Sequence, residues 1–442
     1  MRSTILLLAA AALIGAARAD DWPLVRHDAT NSGASVQTLK PPFTKVWTKR
    51  GATKEPLLVA GDTLLYTSRR YGGLRDLQAV AAATGKPLWT LKNVTQPGAA
   101  SAKAGLLFTV LRTSEKPTSV SRLGANLWPA AIAGVDLKTG KVRWTYPIGD
   151  HPTYPATSPV TVSGSAVYLV NIPYCIPGDP CGKAQLISVN AKTGDEIAKY
   201  EWDDVWGGQM GVVDGAPLID ANGAHVAIAL GYKASADAYG GQVWVFPSDA
   251  RLKDGPIARL GDPSNGTGGL SEFAHKGGNV WPLLGGSFLA VQGPMETTRV
   301  WNVKTFPASL AWEIRFSRGY AHSIMPGGAN PMLLEYNSGN GLLTAMYMST
   351  GKNIWSKPIK TTGLSATAGR TVFVPAQARR LRNAGASRGD VLDGILYALD
   401  TMTGKALWTE RKPDVTFNTP VPANGRLFVS DSDGNLTCYK GK

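Results

Sequence analysis

The stretch Ala398-Leu-Asp-Thr-Met-Thr-Gly-Lys-Ala-Leu-Trp408 decides how this chain is read. An apolar run enters a Thr-Gly turn and leaves it toward a Trp. The same figure returns as Gly134-Val-Asp-Leu-Lys-Thr-Gly-Lys-Val-Arg-Trp144, Ala79-Val-Ala-Ala-Ala-Thr-Gly-Lys-Pro-Leu-Trp89 and Ala345-Met-Tyr-Met-Ser-Thr-Gly-Lys-Asn-Ile-Trp355. A weaker copy, Ser188-Val-Asn-Ala-Lys-Thr-Gly-Asp195, lacks the Trp. A tight hairpin needs positive φ, which Gly85, Gly140, Gly194, Gly351 and Gly404 supply cheaply. The Trp beyond each turn is large enough to wedge between neighbouring units.

Spacing turns these copies into an array. The turn Thr residues stand at 84, 139, 193, 350 and 403, with separations of 55, 54, 157 and 53. The long gap is close to three periods, so two eroded units belong inside it. Gln242-Val-Trp-Val-Phe-Pro-Ser-Asp249 and Val300-Trp-Asn-Val-Lys-Thr-Phe306, the latter ending at Trp312, fill the gap. The eroded units span roughly 215–260 and 278–316. A last unit is split across the termini: Arg426-Leu-Phe-Val-Ser430 and Asn435-Leu-Thr-Cys-Tyr439 stop where a Trp strand is due. Thr44-Lys-Val-Trp47 is a Trp strand with no unit before it.

Within the units, Leu64-Leu-Tyr-Thr-Ser68, Ala166-Val-Tyr-Leu-Val170 and Thr371-Val-Phe-Val374 are short apolar runs rich in β-branched and aromatic residues. Four such strands per unit describe an all-β propeller of eight antiparallel blades, closed by the N-terminal strand at Trp47 beside Tyr439. Trp47, Trp89, Trp144, Trp312, Trp355 and Trp408 are then blade-docking core residues.

The first 19 residues read as an address. Arg2 precedes the apolar run Ile5–Ala17, and Ala17-Arg18-Ala19 offers small residues for cleavage after Ala19. Residues 20–442 then form a single propeller domain, expected in the periplasm or secreted, with no lipid-anchoring Cys and no transmembrane segment. Cys175 and Cys181 bracket one short loop that an oxidising compartment would let them close, leaving Cys438 as a buried thiol.

The pattern Ala-x-Asp-x-x-Thr-Gly-Lys-x-x-Trp resembles the tryptophan-docking motif of the PQQ-like (quinoprotein-like) eight-bladed propeller repeat family. The opening Asp21-Trp-Pro-Leu-Val-Arg-His-Asp-Ala-Thr-Asn-Ser-Gly33 is similar to the first segment of many members. The resemblance implies one of two roles. BamB-type propellers of outer-membrane assembly bind proteins, whereas quinoprotein dehydrogenases hold PQQ with Ca²⁺. The dehydrogenase branch typically has adjacent disulfide-bonded cysteines, and here the close pair is six residues apart. Its haem-bearing members add Cys-x-x-Cys-His, which does not occur. The resemblance thus favours a non-catalytic, monomeric scaffold without a cofactor, with a reduced dehydrogenase or a glycan-binding module as alternatives.

A formal charge of +14 suits an anionic partner, either an envelope protein or an acidic polymer. No nucleic-acid motif is present. In a propeller, the loops joining the second to the third strand share a face with the inter-blade loops. Reading the units so puts Arg69, Arg70 and Arg75 in one such loop and Arg112, Lys116 and Arg122 in the next. Lys183 and Lys233 follow, and Arg379, Arg380, Arg382 and Arg388 fall in the long stretch 375–393. His151, His275 and His322 lie in inter-blade loops, and no His pair shows metal-ligand spacing. Asp431-Ser-Asp-Gly-Asn435 begins like a calcium loop but lacks the distal Glu, so it reads as a hairpin turn.

Overall fold

The computed structural model describes residues 21–69, 75–120, 126–151, 156–172, 183–202, 216–220, 222–233, 239–260, 283–292, 297–304, 308–315, 319–325, 330–380 and 391–442. Strands dominate, and the helical element among these residues is one 3-10 turn, Ala250–Asp254. The strands form antiparallel four-stranded units in chain order. Leu58–Ala60, Thr63–Arg69, Arg75–Ala81 and the start of Pro87–Ser101 make the first unit. The long strand Pro87–Ser101 then continues as the innermost strand of the second, with Leu106–Arg112, Asn126–Asp136 and Val142–His151. Both stretches with an eroded repeat fold the same way. One runs from Leu218–Ile219 to Ala258–Leu260, the other from Leu283–Gly285 to Ser309–Arg315.

In the last unit, Thr44–Arg50 pairs antiparallel with Asn435–Lys440, bringing Trp47 opposite Cys438 and Lys45 opposite Tyr439. The N-terminal strand therefore occupies the outer place that the C-terminal strands leave open.

The Thr-Gly turns and the Trp residues form one lock repeated from unit to unit. Gly85, Gly140, Gly194, Gly351 and Gly404 have φ between +65° and +80°. Their N–H groups donate four residues back, as Gly404 does to the Asp400 carbonyl at 2.8 Å. Asp400 Oδ1 accepts from both the N–H and the hydroxyl of Thr403 at 2.9 Å, and Asp136 does the same for Thr139 at 2.8 Å. That explains Asp and Thr at this spacing: the carboxylate satisfies donors that the turn would otherwise leave to water.

Each Trp ring lies on the turn of the following unit. Trp47 packs on Gly85, Trp89 on Gly140, Trp144 on Gly194, Trp312 on Gly351 and Trp355 on Gly404. Each indole Nε1 also donates to a backbone carbonyl beside that turn, at Ala82, Leu137, Ala191, Met348 and Thr401 respectively. A Cβ on Gly404 would come within 2.8 Å of Trp355, so Gly is needed here for space as well as for φ. Strand register slips by one residue beside each of these Trp residues, and also beside Trp408. Such bulges turn a side chain and make an outer edge a poor template for further pairing.

Other junctions among the described residues depart from the pattern. Trp408 meets Phe43 and Tyr439 edge-on, at centroid distances of 5.1 and 5.7 Å. Where the weaker copy lacks its Trp, Ala198 stands at that register position and is buried. Tyr200, two residues on, packs instead against Gly255 beyond the 3-10 turn.

Candidate binding face

The segment that follows the expected leader determines which end of the units is open. Its carbonyls accept from the innermost strands of successive units: Pro23 from Ala100, Ala29 from Ile219, Thr30 from Leu284, Ser32 from Ile324 and Gly33 from Thr367, all at 2.7–3.0 Å. Trp22 forms a bridge with Val59, Leu24 packs against Val160 and Val167, and the Gln37 side chain accepts from Gly425. Residues 21–40 are thus a strap across the inner ends of the units, beside the turns that lead into each second strand. Asp28 shapes the strap by accepting from Thr30 and Ser32 hydroxyls at 2.7 and 2.6 Å. Burial opposes its charge, but the contacts from His27, Ser32 and Thr30 hold its carboxyl below the usual range. Arg26 is fully buried beneath the strap, and desolvation lowers its guanidinium to about 10 despite Asp28 nearby.

The opposite end carries the second-to-third-strand hairpins. Among the described residues, three of these include a strand of nine or more residues: Leu106–Arg112 with Asn126–Asp136, His225–Lys233 with Tyr239–Pro247, and Thr371–Arg380 with Val391–Asp400. Polar side chains accumulate at their bases. Arg75 pairs with Glu55 at 2.8 Å and donates to the Thr95 carbonyl at 3.0 Å. Arg112 is buried, its guanidinium 4.2 Å from the Trp128 ring centre. His151 is buried against the Ile148 carbonyl, which also accepts from Asn171, and burial pushes its imidazole toward the neutral form. Thr298 donates to buried Glu335 at 2.9 Å, and Arg411 holds Asp393 at 2.9 Å. Lys412 pairs with buried Asp431 at 3.0 Å and sits 5.3 Å from the Phe417 ring. The calcium-like stretch is accordingly a hairpin turn whose first carboxylate is already committed to a lysine.

Several candidates from the sequence therefore have structural employment. Arg75, Arg112 and His151 are built into the base of this end, not displayed on it. Arg69, Arg379, Arg380 and His322 fall on strands; Arg379 and Arg380 lie opposite Leu392 and Val391 in the longest hairpin. Lys183 is exposed, and Lys233 lies opposite Tyr239. Arg70, Arg122, Arg382, Arg388, His275, Cys175 and Cys181 lie outside the described residues. Glu55, Glu335, Asp393 and Asp431 are each engaged separately, and no three His, Cys, Asp or Glu among the described residues converge as a metal site.

Sequence reasoning missed an aromatic cluster formed by Tyr200, Trp202, Trp244 and Phe246 with Arg259 over Trp244. Trp202 and Trp244 stand off the docking register, and that displacement was the available signal.

A family model described as outer membrane protein assembly factor BamB matches residues 44–213 and 340–442, more than half of the chain. The chain belongs to this BamB family. The span that the family model leaves out, 214–339, holds both eroded units. Solved structures agree on the fold. BamB from Moraxella catarrhalis is 13% identical with a TM-score of 0.58, over 90% of this chain and 100% of that one. A quinohemoprotein alcohol dehydrogenase from Pseudomonas putida HK5 is 11% identical with a TM-score of 0.60, over 96% of this chain and 80% of its own. The computationally designed Ika8 protein is 10% identical with a TM-score of 0.52, over 91% and 99%. At such identities the likeness is one of fold, and the fold hosts unrelated functions. No curated protein matches in sequence. Among the described residues no helix is long and apolar enough to cross a membrane.

Proposed function

We propose that the chain is an exported, non-catalytic propeller of eight blades whose N-terminal strand closes the ring, acting as a protein-binding scaffold in the periplasm or cell envelope. The observation that carries this reading is the asymmetry of the two ends. The strap covers one, while extended hairpins rise from the other, including the one that bears Arg379 and Arg380. Projecting hairpins on a rigid base give a wide, shallow contact surface of the kind that protein partners fit. The excess of cations over anions sets the sign of that partner's surface as acidic.

A photo-crosslinking amino acid tests the reading. Placed at Lys116 it sits in a hairpin of the open end; placed at Lys86 it sits beside a Thr-Gly turn. Crosslinks to an envelope protein from Lys116 and none from Lys86 are expected. Crosslinks confined to Lys86 would overturn the proposal, as would robust dye reduction by the purified protein given PQQ, Ca²⁺ and an alcohol or sugar.

A further inference from the structure

We infer that the cluster of Tyr200, Trp202 and Trp244 with Arg259, on the outer strands of two neighbouring units and apart from the hairpin end, is a binding site for an acidic sugar ring. Tyr200 and Trp202 stack at 6.1 Å with 23° between their planes, and Trp244 stands 5.5 Å from Trp202. The Arg259 guanidinium lies 4.5 Å from the Trp244 ring centre. The three aromatics are half-buried and Arg259 is exposed, with Ile257 beside it 52% exposed.

Tyr200, Trp202 and Trp244 pack against the core cluster that joins the two units, whereas Arg259 is exposed. Trp244 and Arg259 are cross-strand partners on the third and outer strands of their unit, facing the preceding one. The corresponding pair varies between units: Gln78 with Thr90, Thr344 with Ser356, Tyr397 with Thr409 and Arg299 with Glu313. At the same position Arg299 is paired with Glu313, whereas Arg259 lies over Trp244.

Their chemistry selects the ligand. A guanidinium resting flat on an indole keeps its in-plane N–H donors directed outward, ready for a bidentate carboxylate. Nearby Arg251 is paired with Asp249, and Lys199 with Glu201. Among the described residues no carboxylate occupies Arg259. The near-parallel Tyr200 and Trp202 rings add a flat apolar shelf suited to the C–H face of a pyranose. A hexuronate carries both features, an apolar ring face and a carboxylate on one compact unit.

The test titrates the mature chain with oligogalacturonate and with its methyl ester, following tryptophan fluorescence. Quenching is expected at about tenfold lower concentration for the free acid, the discrimination expected of one charge-assisted pair. Arg259→Gln, a change at an exposed position, should abolish that discrimination with an unchanged thermal midpoint. Trp202→Leu should weaken both ligands. No quenching at millimolar ligand, or discrimination that survives in Arg259→Gln, overturns the inference. So does equal, Arg259-dependent binding of a poly-glutamate peptide, which would make the site a carboxylate receptor with no preference for a sugar.

Discussion

At the residue scale the fold rests on contacts in which a glycine and an indole occupy one space. Gly404→Ala would need its Cβ 2.8 Å from Trp355 and a side chain at φ +65°. A loss of about 2 kcal/mol is expected, read as a lower denaturation midpoint in urea with unchanged m-value. Gly425, also at positive φ but with open space around its Cβ position, is the control and should lose less. Asp400 links the same turn to pH. Burial raises its pKa, but the hydrogen bonds from Thr403 win and hold it below the ordinary carboxylate value. A carboxyl depressed by folding contributes stability that is present above its unfolded pKa of about 4 and lost as pH falls through the depressed value. Asn190 already fills this position in the weaker copy, accepting from Lys192 and Thr193 N–H groups. Asp400→Asn should therefore keep the turn and flatten acid unfolding below about pH 4, which melts across pH would show. Cys438 is fully buried, and burial pushes its thiol up to about 12. In a Cys175→Ser/Cys181→Ser background it should resist iodoacetamide until the chain is denatured.

At the element scale, what was legible in the sequence was what each unit needs locally. Thr-Gly turns, alternating strands and the strands divided between the two termini follow from period and composition. The strap did not, although its residues, Asp21 to Gly33, are distinctive. Its partners are backbone N–H groups as far off as Thr367, and a backbone N–H has no sequence signature. The Tyr200–Gly255 contact escaped for a similar reason, since the 3-10 turn before Gly255 breaks the spacing that reveals the other locks. The arginines of the open end were found by loop length, yet Arg75 and Arg112 answer to Glu55 and Trp128. Charge in a loop does not show whether it is displayed or spent. The strap makes its own prediction. A chain starting at Phe43 keeps the strands of every unit but leaves the inner N–H groups of Ala100, Ile219, Leu284, Ile324 and Thr367 without the carbonyls that now accept from them. It should melt well below the mature chain, and adding a peptide of residues 20–42 should raise the midpoint in a concentration-dependent way. A truncated chain that melts with the mature one would show the strap to be ornamental.

For the whole molecule, the decisive property is a positive field, since the 46 Lys and Arg exceed the 32 Asp and Glu whatever pairs they form. Without the expected leader, which carries Arg2 and Arg18, about +12 remains on residues 20–442. Local pairs such as Arg75–Glu55, Arg411–Asp393 and Lys412–Asp431 neutralise charge at the base of the open end. The net excess is therefore carried elsewhere on the surface, where it acts over a Debye length of about 8 Å at physiological salt. A field of that kind speeds encounter with an acidic partner more than it tightens the final complex. Association with the envelope protein captured by crosslinking should accordingly slow as salt rises from about 50 to 500 mM, while dissociation changes little. Stopped-flow or surface-based kinetics separate the two rates. The melting temperature of the free chain over the same range should rise slightly or stay flat, because salt screens the self-repulsion of a basic surface. An association rate indifferent to salt would assign recognition to the shape of the projecting hairpins alone, with the positive charge serving solubility.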